Sequence, residues 1–183
     1  MSANEFYDIE IGGLKRSLRL FEIKPGLKIA ILNILGDTEL VQACAKALNK
    51  KLKDVKFDVI VTAEAKSIPL AYALSVVSKK PYVILRKSYK PYMGAALIAE
   101  TLSITTGEPQ TLIMDEKDQA DLKGKCAVIV DDVISTGSTL QGMRMIMEKA
   151  GAKIVGEAAI LTEGERAKWE KIISLGHLPL FTD

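Results

Sequence analysis

One run of thirteen residues, Val128-Ile-Val-Asp-Asp-Val-Ile-Ser-Thr-Gly-Ser-Thr-Leu140, limits what this chain can fold into more than any other stretch of it. The apolar residues Ala127 to Val130 read as a buried parallel strand, since a strand covered on both faces needs no polar alternation. Asp131 and Asp132 stand where that strand is expected to end. A small, hydroxyl-rich turn follows, Ser135 to Thr139. An amphipathic helix then begins, with Leu140, Met143, Ile146 and Met147 on one face.

That order carries chemistry. A helix N-terminus has unpaired amide N–H groups and partial positive charge, so it holds anions. The Ser and Thr hydroxyls add donors, and Gly137 lets a ligand approach the backbone. A phosphate monoester fits such a turn. Two carboxylates just before it suit a polyol, because sugar hydroxyls donate well to charged acceptors. A sugar phosphate satisfies both halves. No Lys follows the turn glycine, which excludes a P-loop, and no GxGxxG is present, which excludes a dinucleotide fingerprint. The competing reading is a plain strand–loop–helix junction in which Asp132 or Ser135 caps the helix.

The run resembles the phosphoribosyl pyrophosphate signature of type I phosphoribosyltransferases, in particular their purine branch. The resemblance extends by order of elements over residues 28–165 and implies an α/β fold. A central, mainly parallel sheet is flanked by helices, with a small N-terminal hood (1–36) and a flexible loop (86–110), all in a single domain, 1–183. It implies transfer of ribose 5-phosphate from phosphoribosyl pyrophosphate to a purine base, with Mg²⁺ as cofactor. Ser135, Thr136, Gly137, Ser138 and Thr139 would hold the 5′-phosphate. Asp131 and Asp132 would hold the ribose hydroxyls beside a Mg²⁺ bound mainly by substrate and water, with no direct protein ligand.

Two further stretches supply the other end of such a donor. Glu64, Ala65, Lys66 and Ser67 lie in a loop between a strand and a helix, where backbone N–H groups and one cation can meet an anion. In the resembled family this loop holds pyrophosphate, often carries a non-proline cis peptide, and has an arginine where this chain has Lys66. Arg86, Lys87 and Lys90 follow the next strand with no acid among them, a set that can stabilise a leaving pyrophosphate. From Arg86 to Gln110 the periodic signal fades, which predicts a long loop or hairpin, and the resemblance implies a lid there. The candidate catalytic set is Asp131, Asp132, Lys87 and Glu100. The base is expected near Asn33, Ile134, Leu161 and Thr162.

Bulk properties bound the alternatives. The chain has 183 residues, 48% hydrophobic and 26% charged, with a formal net charge of +2. That is one globular domain with too little positive charge for nucleic-acid binding by bulk attraction. A polar, acidic N-terminus argues against a signal peptide and no apolar run reaches transmembrane length, so the expectation is a cytoplasmic protein without membrane contact. Cys44 and Cys126 are expected to be buried thiols. The resemblance also implies a homodimer in which Arg86 and Lys87 reach the partner's site.

Other elements follow from pattern. Pro25-Gly26 marks a turn, and Asp37 caps a helix over 38–52. Strands are expected at 57–62, 82–85, 111–114 and 154–161, and helices at 67–78 and 165–174. Gly151 ends the helix after the signature. His177 reads as a surface or packing residue, and Trp169 as a packing residue of the core or an interface.

The acceptor is less constrained. Ser135 stands where the hypoxanthine-guanine branch has an acidic general base. Leu161-Thr-Glu-Gly164 lacks the lysine that holds a 6-oxo group in the xanthine branch. Thr105-Thr-Gly107 lacks the adenine branch's loop glutamate, although Glu100 and Glu108 are near. Leu32-Asn33 is similar to the xanthine branch. Adenine is the expected base, with xanthine or hypoxanthine as alternatives. A different class stays open, a non-catalytic phosphoribosyl pyrophosphate-binding regulator. Such regulators carry a DNA-binding domain, and the roughly 30 residues before the core are too few for a winged helix.

Overall fold

The computed structural model describes residues 5–102 and 109–182. In chain order the elements are β1 (Phe6–Ile11), β2 (Leu14–Lys24), β3 (Leu27–Ile31), α1 (Thr38–Lys51), β4 (Val59–Ala63), α2 (Ile68–Ser78), β5 (Tyr82–Leu85), β6 (Leu97–Leu102), β7 (Pro109–Met114), α3 (Glu116–Leu122), β8 (Cys126–Ile134), α4 (Ser138–Ala150), β9 (Lys153–Glu163), β10 (Ile173–Leu178) and β11 (Phe181–Thr182).

Among the described residues the central sheet has the order β10-β9-β8-β4-β5, and every neighbouring pair is parallel. Such a sheet needs cover on both faces. Alternation along the strands provides it. Ile60, Val128 and Val130 face one core with Leu40, Cys44 and Leu48 of α1 and Leu70 and Leu74 of α2. Val59, Val61, Ala127 and Ile129 face the other, with Leu140, Met143, Ile146 and Met147 of α4 and Leu112 and Met114 of β7. Each fully buried Leu or Met adds roughly 1.5–3 kcal/mol of burial free energy.

The hood is a separate antiparallel sheet, β1-β2-β3-β11. Pro25 and Gly26 turn β2 into β3, with Gly26 at φ +74°. The C-terminal β11 closes this sheet against β3, and Phe181 meets the Tyr7 ring edge-on at 5.1 Å. The hood therefore draws on both ends of the described chain. Asp37 caps α1 as expected, its carboxylate accepting from the Leu40 amide at 3.0 Å. Gly151, in the left-handed conformation, ends α4.

Three expectations are corrected. The signature strand does not end at the two aspartates: β8 continues to Ile134, because β9 keeps pairing with it as far as Ile134 and Thr162. Residues 165–174 are not a helix. Only a 3-10 turn, Arg166–Trp169, forms before β10 joins β9 in parallel, and Gly176 leaves room for Leu161. In the region from 86 to 110 the hairpin alternative holds, β6 pairing with β7 against α4. Residues 103–108 within it, including Thr105-Thr-Gly107 and Glu108, lie outside the described residues. Cys126 is half-buried, while Cys44 is fully enclosed. The short helix α3 had no counterpart in the sequence pattern.

Candidate functional site

β4 and β8 pair from Val59 and Ala127 to Val61 and Ile129, and then separate. Where they part, the buried Thr62 hydroxyl donates to the Val130 carbonyl at 2.7 Å and satisfies the group the ladder leaves open. A crevice therefore opens at the carboxyl edge of the sheet, the usual place for ligands in an α/β fold.

The four residues after β4, Glu64 to Ser67, organise the crevice. Ser67 occupies the N-cap position of α2, yet its side chain makes no capping bond. Its hydroxyl turns across to β8, lying 2.6 Å from Asp131 Oδ1 and 3.1 Å from Asp132 Oδ1, and it accepts from the Asp132 amide at 3.0 Å. Asp131 is 9% exposed and also receives the Asp132 amide at 3.0 Å. Burial, reinforced by the neighbouring Asp132 charge, pushes the Asp131 carboxyl well above its ordinary range, although the Ser67 hydrogen bond opposes this. Asp132 is half-buried.

At the other end of the same loop, Glu64 grips the segment after β5. Arg86 Nε meets Glu64 Oε2 at 2.5 Å, and the Lys87 amide donates to Oε1 at 2.6 Å. Burial alone would raise the Glu64 carboxyl. These two donors outweigh it and hold the group below its ordinary value. The Arg86 backbone is fixed as well, exchanging hydrogen bonds with Ile113 at 2.7 and 2.8 Å. Ala65, Lys66, Lys87 and Lys90 are exposed, and the Glu64–Ala65 peptide bond is cis. One short loop thus ties a cationic segment at one end and a carboxylate pair at the other.

The turn after β8 borders a half-open cavity of about 110 Å³ lined by Asp131, Val133, Ile134, Ser135, Thr136, Gly137, Thr139 and Leu140. Gly137, at φ +86°, is the N-cap of α4, and no side chain caps this helix. The competing reading, that Asp132 or Ser135 serves as the cap, does not hold. Ser135 and Thr136 are exposed, and Thr136 Oγ1 lies 2.8 Å from Ser138 Oγ. Thr139 donates to Gln110 Oε1 at 3.2 Å, which links the turn to the β6–β7 hairpin.

The expected base residues are less well gathered. Asn33 is exposed, and its side-chain oxygen accepts from the Leu35 amide at 3.2 Å. Ile134 lines the turn cavity although it is nearly buried. Leu161 is fully enclosed in the α1–α2 core, which leaves its side chain no surface for a ligand. Thr162 is 3% exposed, with its hydroxyl 2.9 Å from His177 Nδ1. His177 Nε2 lies 3.0 Å from the Gly164 carbonyl, so the histidine is a packing residue, as expected. Glu100 is exposed on β6. Among the described residues no group of three or more His, Cys, Asp or Glu side chains could hold a metal ion, and no helix is long and apolar enough to cross a membrane.

The sequence reading placed Ser67 near pyrophosphate and missed its bond to the carboxylates. It read Trp169 as a packing residue and missed the hydrogen bond by which its indole N–H donates to the Glu163 carbonyl at 2.8 Å. A serine directly before a helix reads as a cap, and nothing local shows that its hydroxyl is used elsewhere.

Comparison with known proteins places this geometry in a family. The phosphoribosyl transferase domain matches residues 31–174. The hypoxanthine/guanine phosphoribosyltransferase of Methanococcus voltae is 38% identical over 112 residues, covering 61% of this chain and 56% of that protein. The purine biosynthesis transcriptional repressor of Bacillus subtilis is 28% identical over 143 residues, 78% of this chain and 49% of the repressor. The adenine phosphoribosyltransferase of Thermosipho africanus is 32% identical over 151 residues, 79% of this chain and 85% of that enzyme. The chain thus spans about half the length of the first two of these relatives. The crystal structure of adenine phosphoribosyltransferase from Thermoanaerobacter pseudethanolicus superposes with a TM-score of 0.72 at 25% identity, covering 87% of this chain and 95% of that one.

Proposed function

Because this chain belongs to the phosphoribosyl transferase domain family, we propose that it is a purine phosphoribosyltransferase of salvage type, with adenine as its base. The reaction moves ribose 5-phosphate from phosphoribosyl pyrophosphate to a purine ring nitrogen. The bond from the anomeric carbon to pyrophosphate breaks, the carbon–nitrogen bond forms, and the nitrogen's proton is lost. The observation that carries this reading is the loop Glu64–Ser67. It holds a cationic segment at one end and the Asp131–Asp132 pair at the other, directly before a glycine-opened helix N-terminus.

In this reading the turn from Ser135 to Thr139 holds the 5′-phosphate, and the carboxylates of Asp131 and Asp132 accept from the ribose hydroxyls. As the anomeric carbon gains cationic character in an oxocarbenium-like transition state, those two carboxylates lie on the ribose side. Lys66, Lys87, Lys90 and Arg86 meet the departing pyrophosphate. Glu64 serves the pyrophosphate site by orienting Arg86. Glu100, on the hairpin, is the remaining candidate for handling the purine proton. A Mg²⁺ held mainly by substrate oxygens and water would sit near Asp131 and Asp132, without either as a direct ligand, and would supply charge neutralisation for pyrophosphate. A homodimer in the cytoplasm, without nucleic-acid or membrane contact, completes the proposal.

Adenine is preferred because Ser135 replaces an acidic base and the end of β9 offers no lysine to a 6-oxo group. A buried polar group without its partner discriminates strongly. Two second readings rest on the relatives. The match to the hypoxanthine/guanine enzyme keeps oxo-purines open, and the match to the repressor keeps a ligand-binding regulator open. Incubation with phosphoribosyl pyrophosphate, Mg²⁺ and adenine, hypoxanthine, guanine or xanthine in turn, assayed for pyrophosphate and nucleotide, separates them. The expected product is AMP. IMP, GMP or XMP instead would reassign the base, and no product with any base would favour the regulator.

A further inference from the structure

We infer that Trp169 is a positioning residue for the 5′-phosphate loop, joining Gly137 to the carboxyl end of β9. This rests on the transferase reading above. A Cβ placed on Gly137 would lie 2.9 Å from Trp169 Cη2 and 3.5 Å from Cζ3, so the six-membered ring of the indole is packed directly on the loop backbone. The other end of the indole is fixed, Nε1 donating to the Glu163 carbonyl at 2.8 Å. The ring is half-buried and packs against the core beneath α4. Its own backbone closes the 3-10 turn, the Ile172 amide donating to the Trp169 carbonyl at 2.9 Å. The residues lining the phosphate cavity include Gly137 but not Trp169. The indole therefore braces the loop from outside the cavity and leaves its interior to a ligand.

Two independent demands converge on Gly137. Its positive φ disfavours any side chain, and the indole occupies the space a Cβ would take. A loop whose amides must converge on a phosphate gains from such a brace, because pre-organised donors lose less on binding. The brace also runs to the end of β9, so that loop and strand are held as one unit.

The test uses the full chain and its single tryptophan. Removing a brace on the phosphate weakens ground-state and transition-state binding alike, which raises KM and spares kcat. Trp169→Ala is expected to raise KM for phosphoribosyl pyrophosphate by about tenfold, with kcat and KM for the base within about twofold. Trp169→Phe keeps a ring on Gly137 but loses the bond to Glu163, and it should fall between. If the alanine variant does not fold, the phenylalanine variant carries the comparison. In the wild type, ribose 5-phosphate should shift the tryptophan emission in step with binding followed by calorimetry. The inference is overturned by an unchanged KM in both variants, by a fall in kcat alone, or by calorimetric binding that leaves the emission unmoved. A wild-type chain that binds neither ribose 5-phosphate nor phosphoribosyl pyrophosphate would overturn this inference and the transferase reading together.

Discussion

Ser67 and Asp131 are joined by a 2.6 Å hydrogen bond across 64 positions of the chain, from the N-cap of α2 to the signature strand. The hydroxyl has one proton and two carboxylates within reach, and the shorter distance assigns it to Asp131. Removing it takes one of two donors from a buried carboxyl group, which costs about 1–3 kcal/mol. Ser67→Ala should therefore lower the melting temperature by several degrees and reduce turnover. A variant that melts and turns over like the wild type would show that the bond has no role.

Asp131 makes stability depend on pH with a definite sign. Its carboxyl is raised to about 7 by burial and by the Asp132 charge. Between the ordinary carboxylate range and that value, the folded chain keeps a proton that the unfolded chain has released. Folding therefore weakens as pH rises across that window, and changes no further from this group above it. Asp131→Asn removes the titration and still offers an oxygen to Ser67. It should melt higher than the wild type at pH 8, by about 2–4 °C for each kcal/mol recovered, and show a flatter pH profile. Turnover should collapse in this variant and in Asp132→Asn without loss of fold. A double Asn variant with unchanged activity would remove both residues from the site.

The Glu64–Arg86 pair sets the direction of a cation. Glu64→Gln keeps one acceptor for the Lys87 amide and loses the charge that holds Arg86. The pair is partly exposed, so the stability change should be small, within about 1 kcal/mol. Product inhibition is the sensitive measurement. Pyrophosphate should inhibit Glu64→Gln several-fold more weakly than the wild type, and equal inhibition would separate Arg86 from the pyrophosphate site.

Much of this site could be read from the chain because its chemistry is contiguous. Strand, carboxylates, turn and helix follow one another from Ala127 to Ala150, and local pattern finds each. What could not be read depends on distant partners. Whether β8 stops at Asp131 or runs to Ile134 is decided by pairing with β9. The segment Ile172 to Leu178 has apolar residues that suit a helix or a strand, and its choice rests on Gly176 admitting Leu161. The β6–β7 hairpin lacks a strong period of its own and is settled by packing on α4, where a Cβ on Gly142 would lie 2.9 Å from Leu112. A serine directly before a helix suits a cap, and only the third dimension places the Ser67 hydroxyl against β8.

The hood has its own anchor. Arg16 on β2 makes a two-pronged contact with Asp37, Nε to Oδ2 at 2.7 Å and a terminal nitrogen to Oδ1 at 3.0 Å, and reaches Glu39 at 2.9 Å. Asp37 at the same time caps α1, so one carboxylate joins the hood to the helix that covers the parallel sheet. Arg16 holds the Asp37 carboxyl below its ordinary range, with the Leu40 amide adding to the effect against burial. The contribution is present above the ordinary carboxylate range and fades as pH falls through the lowered value. Asn33, an expected base contact, lies in the segment between β3 and this cap. Arg16→Ala should therefore speed amide exchange in β1 and β2 and raise KM for the base several-fold, with KM for phosphoribosyl pyrophosphate unchanged. Acidification of the wild type should produce the same loosening, and Arg16→Ala should be insensitive to it. If both substrates' KM values rise together, or if exchange in the hood does not change, the Arg16–Asp37 contact does not position the base.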